Sequence, residues 1–358
     1  MEGYMRKETR RVCVGGVEIG GGAPISVQSM TNTDPMQGEV TLRQVQALER
    51  AGCDIVRLAV PTLASAEIFR YLKENGVKVP LVADIHFDYR IALAAVEAGA
   101  DKIRINPGNI GSAERVRLVA DACRNRRIPI RIGVNGGSLE KELLEKYGAP
   151  TPDALVESAM RHVALLEAAD FEDILISVKA SGVREMIEAN RKLSAKTRYP
   201  LHLGVTEAGG TRMGTVKSAI GIGTLLAEGI GDTVRVSLTA DPVEEILAAR
   251  HILSALELNE KRGLDLVSCP TCGRTRVDLI ARLAEFEEKA RVAGIMDKPI
   301  KVALMGCVVN GPGEAREADI GVAGGIGEGI LFRRGEIIGR VPESEMIDAL
   351  IAEIQKLG

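Results

Sequence analysis

LVADIHFDYRIALAAVEAGADKIRINPGNIGSAERVRLVADACRNRRIPIRIGVNGGSL, Leu81–Leu139, contains the same unit twice and the start of a third. Leu81–Asp84, Lys102–Ile105 and Ile130–Val134 are short apolar runs without a polar face, as strands buried on both sides should be. Helix-like stretches separate them. Outward from this segment the alternation continues, with further runs at Ile25–Met30, Ile55–Leu58, Ile174–Val178, Leu201–Val205 and Thr233–Val236. Eight strand-then-helix units in series, at roughly even spacing, favour a TIM (β/α)8 barrel over a doubly wound open sheet. Thr41 and Gln44 read as a capping box ahead of Leu42, Val45 and Leu48, with Gly52 as the stop. Asp241, Pro242 and Glu244 open the last barrel helix. Before the first unit, Val12–Val14, Gly15–Gly16 and Val17–Ile19 read as a hairpin with a primed turn that covers the bottom of the barrel.

The pattern changes after Leu258. A polar connector, Asn259–Gly263, leads to mixed strands and helices over about a hundred residues, which reads as a smaller α+β domain. The expected division is 1–258 and 259–358.

Composition narrows the function. The chain has 358 residues, 46% apolar and 27% charged, with a net charge of −3 and no Trp. It lacks the basic excess and stacking aromatics of a nucleic-acid binder. No apolar run is long enough to span a bilayer and the first residues carry no signal-peptide core, so the expected setting is cytoplasmic. Six cysteines in such a chain do not form a disulfide framework. Cys13, Cys53 and Cys123 are scattered and read as small core residues. Cys269 and Cys272 have C-x-x-C spacing in SCPTCGR, and Cys307 follows in MGCVVNGPGE. Three thiolates in Pro- and Gly-shaped turns suit an iron–sulfur cluster. Zinc, a redox pair with Cys307 left over, and plain packing remain open. No fourth Cys lies in this region, and the nearest candidate ligand is Glu314.

The strand ends of the barrel are heavily polar, and chemistry in this fold sits there. They supply Arg57; Asp84 and His86; Arg104 and Asn106; Arg131 and Asn135; Lys179; His202 and Glu207; and Arg235 with Ser237. One arginine in an apolar strand is readily a buried ion pair. Four arginines and a lysine facing one opening call for an anion, and their donors match a diphosphate. Glu207 is an acid among these bases, either balancing charge or exchanging a proton with the ligand.

ADIHF, RINPGN, RIGVNGGSL, HLGVTEAGG, SCPTCGR and MGCVVNGPGE, in this order and preceded by PISVQSMTNTD, resemble the 4-hydroxy-3-methylbut-2-enyl diphosphate synthase family over nearly the whole chain. The chain is short, like the bacterial two-domain type. The resemblance implies a 4Fe–4S cluster on Cys269, Cys272, Cys307 and Glu314. It implies 2-C-methyl-D-erythritol 2,4-cyclodiphosphate as substrate, reductively opened and dehydroxylated. It implies flavodoxin or ferredoxin as electron donor, and a homodimer in which the cluster domain of one chain covers the barrel of the other. The competing reading is a phosphate-binding barrel resembling dihydropteroate synthase with a zinc-stabilised interaction module.

Overall fold

The computed structural model describes residues 5–258, 263–296, 298–307 and 316–357. Contacts divide the chain into two units, Met1–Leu258 and Asn259–Gly358.

The first unit opens with β1 (Val12–Val14) and β2 (Val17–Ile19), paired antiparallel with Val14 opposite Val17. Gly15 and Gly16 between them both have positive φ, 53° and 95°, the conformation a two-residue primed turn demands. Val12, Val14 and Ile19 pack on Ile55, Val82 and Leu175 at the entering ends of barrel strands, so the hairpin plugs the barrel floor. The alternating elements follow: β3 (Ser26–Met30), α1 (Gly38–Arg50), β4 (Ile55–Ala59), α2 (Ile68–Glu74), β5 (Leu81–Asp84), α3 (Tyr89–Glu97), β6 (Lys102–Ile105), α4 (Pro107–Ile110), α5 (Ala113–Arg126), β7 (Ile130–Asn135), α6 (Lys141–Tyr147), α7 (Pro152–Glu167), β8 (Ile174–Lys179), α8 (Val183–Lys196), β9 (His202–Leu203), α9 (Thr211–Ala227), β10 (Thr233–Val234) and α10 (Pro242–Ala255). The eight parallel strands run β8-β7-β6-β5-β4-β3-β10-β9, and a parallel bridge from Ile176 to Leu201 joins β8 to β9 and closes the ring. This is the TIM barrel the apolar runs predict.

Two local expectations need correction. Helix α1 begins at Gly38, three residues before Thr41, and its first turn has no side-chain cap. Thr41 is buried inside the helix, its hydroxyl bonded to Thr33, while Gln44 reaches back to the Asn32 amide at 3.0 Å. Both side chains therefore fasten the loop after β3 instead of capping the helix. Cys53 and Cys123 are buried, and burial pushes both thiols up to about 12, but Cys13 faces solvent on the hairpin.

The second unit holds a five-stranded sheet of β11 (Asp265–Ser268), β12 (Lys301–Met305), β13 (Ile320–Gly324), β14 (Glu328–Arg333) and β15 (Glu336–Pro342), in that order. The first three strands are parallel and the last two add on antiparallel. Alternation along β12 sends Val302 and Leu304 into a core with Phe286 of α11 (Leu279–Val292) and Leu350 and Ile354 of the C-terminal helix Met346–Lys356. Ala303 and Met305 pack on the opposite face with Phe332.

Candidate active site and cysteine centre

Strand periodicity delivers the barrel's charges. In β6, Ile103 and Ile105 join the apolar layer between strands and helices, so Lys102 and Arg104 point into the barrel. The same phase carries Arg57, Arg131 and Lys179 inward. A cavity of about 330 Å³ opens at the strand ends, lined by Arg57, Asp84, His86, Arg104, Arg131, Asn135, Lys179, Glu207, Arg235 and Ser237 among others. Two glycines make the crowding possible. A Cβ on Gly133 would lie 2.2 Å from Arg104 Nε, and one on Gly204 would lie 2.7 Å from Lys179 Nζ.

Two carboxylates organise part of this charge. Asp84 receives Arg104 Nη1 at 3.0 Å and stands 3.6 Å from Arg57 Nε. Burial pushes its carboxyl up, but Arg57 and Arg104 outweigh that and hold it down at about 2. Glu245, on α10, takes both prongs of Arg235 at 3.2 Å, the Ser29 hydroxyl at 2.9 Å and the Leu238 amide at 3.1 Å. The side chains of Arg131 and Lys179 make no hydrogen bond or ion pair among the described residues, although only 1% and 5% of each residue is exposed. These two buried cations lack a carboxylate of their own, and the cavity accordingly favours an anion.

Glu207 sits in the loop after β9 with φ of 53°, a left-handed backbone that costs a side-chain-bearing residue about 1 kcal/mol or more. It makes no hydrogen bond or ion pair among the described residues. It lines both the basic cavity and a neighbouring cleft walled by Gly136, Gly137, Ser181 and Gly182. A strained, unpartnered acid facing a basic cavity has the placement of a proton donor.

Asn106 and His202 are placed otherwise than their strand-end positions suggest. Asn106 is buried ahead of α4 and does not line the cavity. His202 is the first residue of β9, fully buried in the barrel, with Nδ1 3.4 Å from the Thr233 hydroxyl.

Lys102 lies in the same interior, fully buried, its ammonium without a partner among the described residues. Burial, then Arg131 and Arg57, press it well below its ordinary value of 10.5. Unfolded chains keep that lysine protonated up to about 10.5 while the native barrel resists the charge, so its contribution to stability improves as pH rises towards that value. Lys102→Met should therefore stabilise the anion-free protein by ~1–4 kcal/mol at neutral pH. The gain should shrink towards pH 10. Urea unfolding across that range checks both, and a gain independent of pH would contradict the buried, partnerless ammonium.

In the second unit, β11 ends at Ser268, just before Cys269, and its neighbour β12 ends at Met305, two residues before Cys307. Parallel pairing thus brings both cysteines out at the same sheet end. The Cys269–Cys272 turn is tied there by Arg276 N–H to Gly306 O at 2.9 Å and by Thr275 N–H to Cys272 O at 3.0 Å. Cys269 Sγ accepts the Gly306 amide at 3.2 Å, and the Arg274 amide, with the Thr275 side chain and amide, lowers the exposed Cys272 thiol. Amides aimed at sulfur favour thiolates and fit a cluster bound at this end of the sheet. No group of three or more Cys, His, Asp and Glu close enough to hold a metal ion occurs among the described residues. Glu314 lies outside them.

Comparison with known proteins agrees with both halves. Residues 9–250 match the GcpE TIM-barrel domain and residues 265–356 match the GcpE protein C-terminal domain. The chain belongs to the GcpE family. The 4-hydroxy-3-methylbut-2-en-1-yl diphosphate synthase (flavodoxin) of Clostridium perfringens is 59% identical over 98% of this chain and 99% of its own length. That of Symbiobacterium thermophilum is 57% identical over 98% of this chain and 94% of its own. These relatives match the reductive reading and not the competing phosphate-binding one. Among solved structures, 3-dehydroquinate dehydratase from Geobacillus kaustophilus covers 72% of this chain and 100% of its own, with TM-score 0.51 and 16% identity, and shows the barrel fold alone.

Four residues with polar side chains that line the GcpE barrel cavity escape a search of charged strand ends: Ser177, Thr206, Thr239 and Glu245. Helical phase could have found Glu245. It lies four and eight residues before the buried Ala249 and Leu253, on the face of α10 that packs on the barrel.

Proposed function

We propose that this chain reductively opens and dehydroxylates 2-C-methyl-D-erythritol 2,4-cyclodiphosphate to 4-hydroxy-3-methylbut-2-enyl diphosphate, a step of isoprenoid precursor synthesis. The observation that carries the chemistry is the barrel cavity, where five cations meet two organising carboxylates and one unpartnered glutamate. Arg131 and Lys179 supply charge to the diphosphate. Arg57, Arg104 and Arg235, oriented by Asp84 and Glu245, supply directed N–H donors. Asn135, His86 and Ser237 line the same wall and complete its hydrogen-bonding surface. The ring C–O bond breaks with its electron pair left on the phosphate oxygen, where these cations stabilise the charge. The hydroxyl takes a proton from Glu207 and leaves as water, and two electrons enter.

Cys269, Cys272, Cys307 and Glu314 would hold a 4Fe–4S cluster, which when bound supplies electrons one at a time. A one-electron protein donor, flavodoxin or ferredoxin, suits that chemistry. The cytosol keeps such thiols reduced. The working assembly is a homodimer with the cluster unit of one chain over the barrel of its partner.

Anaerobically purified protein should be brown, contain about four iron and four sulfide per chain, and convert the cyclodiphosphate with reduced flavodoxin. Glu314→Cys should keep its iron and lose turnover, because thiolate is displaced less readily than carboxylate. Stoichiometric zinc without sulfide in protected protein would overturn the cluster, and full activity in Glu314→Ala would remove Glu314 from the ligand set.

A further inference from the structure

Met30 is the last residue of β3, the strand that lies between β10 and β4. Its Cα partner across the ladder is Arg57. Arg57 directs Nη2 and Nε at the Met30 sulfur, at 2.8 and 3.1 Å. From the other side, Arg235 Nη1 approaches the same sulfur at 3.7 Å. Two guanidiniums, one from β4 and one from the residue just after β10, thus converge on one thioether beside the basic cavity.

We infer that Met30 is a positioning residue, whose sulfur holds Arg57 and Arg235 ready for the anionic end of the substrate. The inference rests on the anion-binding reading of the cavity. The two arginines are anchored unequally: Glu245 grips both prongs of Arg235, while Asp84 meets Arg57 only at Nε, at 3.6 Å. One long contact leaves the Arg57 guanidinium free to pivot, and Arg235 is fixed in plane but open on its Nη1 side. The sulfur provides the second point, between the two strands, and fixes where the free N–H groups aim. The residue type matters. A carboxylate at this place would neutralise both arginines and compete with the ligand. An aliphatic side chain would offer no acceptor. A thioether is polarisable, uncharged and a weak acceptor, so it orients the donors and yields them to a phosphate oxygen at small cost.

The test uses the holoenzyme and two probes, the cyclodiphosphate substrate and inorganic pyrophosphate. Met30→Leu keeps the volume and removes the acceptor. It should raise KM for substrate and Kd for pyrophosphate, measured by calorimetry, by about three- to tenfold, the worth of a hydrogen bond or two. The value of kcat, the visible spectrum and the thermal midpoint should stay at the parent values. Met30→Gln places a carbonyl oxygen at similar reach and should bring both constants back to within about twofold of the parent. A packing role moves the midpoint without this pattern. Unchanged or tighter pyrophosphate binding in Met30→Leu, or a Gln variant no better than Leu, overturns the assignment. If the parent protein binds neither probe, the anion site itself fails and the role of Met30 fails with it.

Discussion

Glu207→Gln is expected to lower turnover about a hundredfold or more, the usual scale of general acid catalysis, while substrate still binds. The substitution keeps the shape of the side chain and removes its proton. Glu207 has no partner to lose among the described residues, and no ion pair is left broken behind it. The backbone at φ 53° is held by the surrounding loop, which turns again at Gly209, φ 100°, where a glycine takes positive φ without strain. Gln adopts that backbone as readily as Glu, so the fold should be untouched. Steady-state kinetics with reduced flavodoxin separate the two roles open to this acid. As a proton donor, Glu207 affects kcat and leaves KM within a few-fold. As a charge-balancing acid among five cations, its neutralisation would instead strengthen anion binding at unchanged kcat, and that result would remove it from the chemistry.

The barrel is legible in the sequence because its strands are buried on both faces. Such strands are near-continuous apolar runs, and any charge inside them stands out. Arg57, Arg104, Arg131 and Lys179 are visible for that reason, and the structure brings them to one cavity. Legibility fails where direction matters more than position. Asn106 follows β6 as the strand-end pattern suggests, but Pro107 starts a helix at the next residue and the side chain is buried outside the cavity. His202 belongs to a strand that spans only two residues, and it occupies the entering end, well below Glu207. Glu245 escapes for the opposite reason. Two adjacent acids at a helix start, Glu244 and Glu245, look like the ordinary complement to the helix dipole. Only one of them, buried and bonded to Arg235 and Ser29, belongs to the site. The Thr41–Gln44 pair shows the same ambiguity, since a capping box and a loop fastener use the same residues.

The remaining large effect concerns assembly. In a β/α barrel each helix runs antiparallel to its strand, so α10, Pro242–Ala255, carries the chain from the strand ends back to the floor. Fourteen residues of helix descend about 21 Å at 1.5 Å per residue. The stretch 258–263, fully extended, covers only about 20 Å. The cavity is at the opposite end, with its loops adding height. The proposed homodimer answers that shortfall in reach by pairing the cluster unit of one chain with the barrel of its partner, and two-fold symmetry would complete both sites together. Mixed dimers test this. A Glu207→Gln chain lacks the barrel acid and a Cys307→Ser chain lacks a cluster thiolate, so each alone should be inactive. Combined so that dimers form at random, half of the dimers are mixed. In each mixed dimer one site pairs the intact barrel with the intact cluster, and the other pairs the two damaged halves. About a quarter of the parent activity should return. Sites built within one chain would return none, and that outcome, with mixed dimers verified by mass spectrometry, would falsify the shared site.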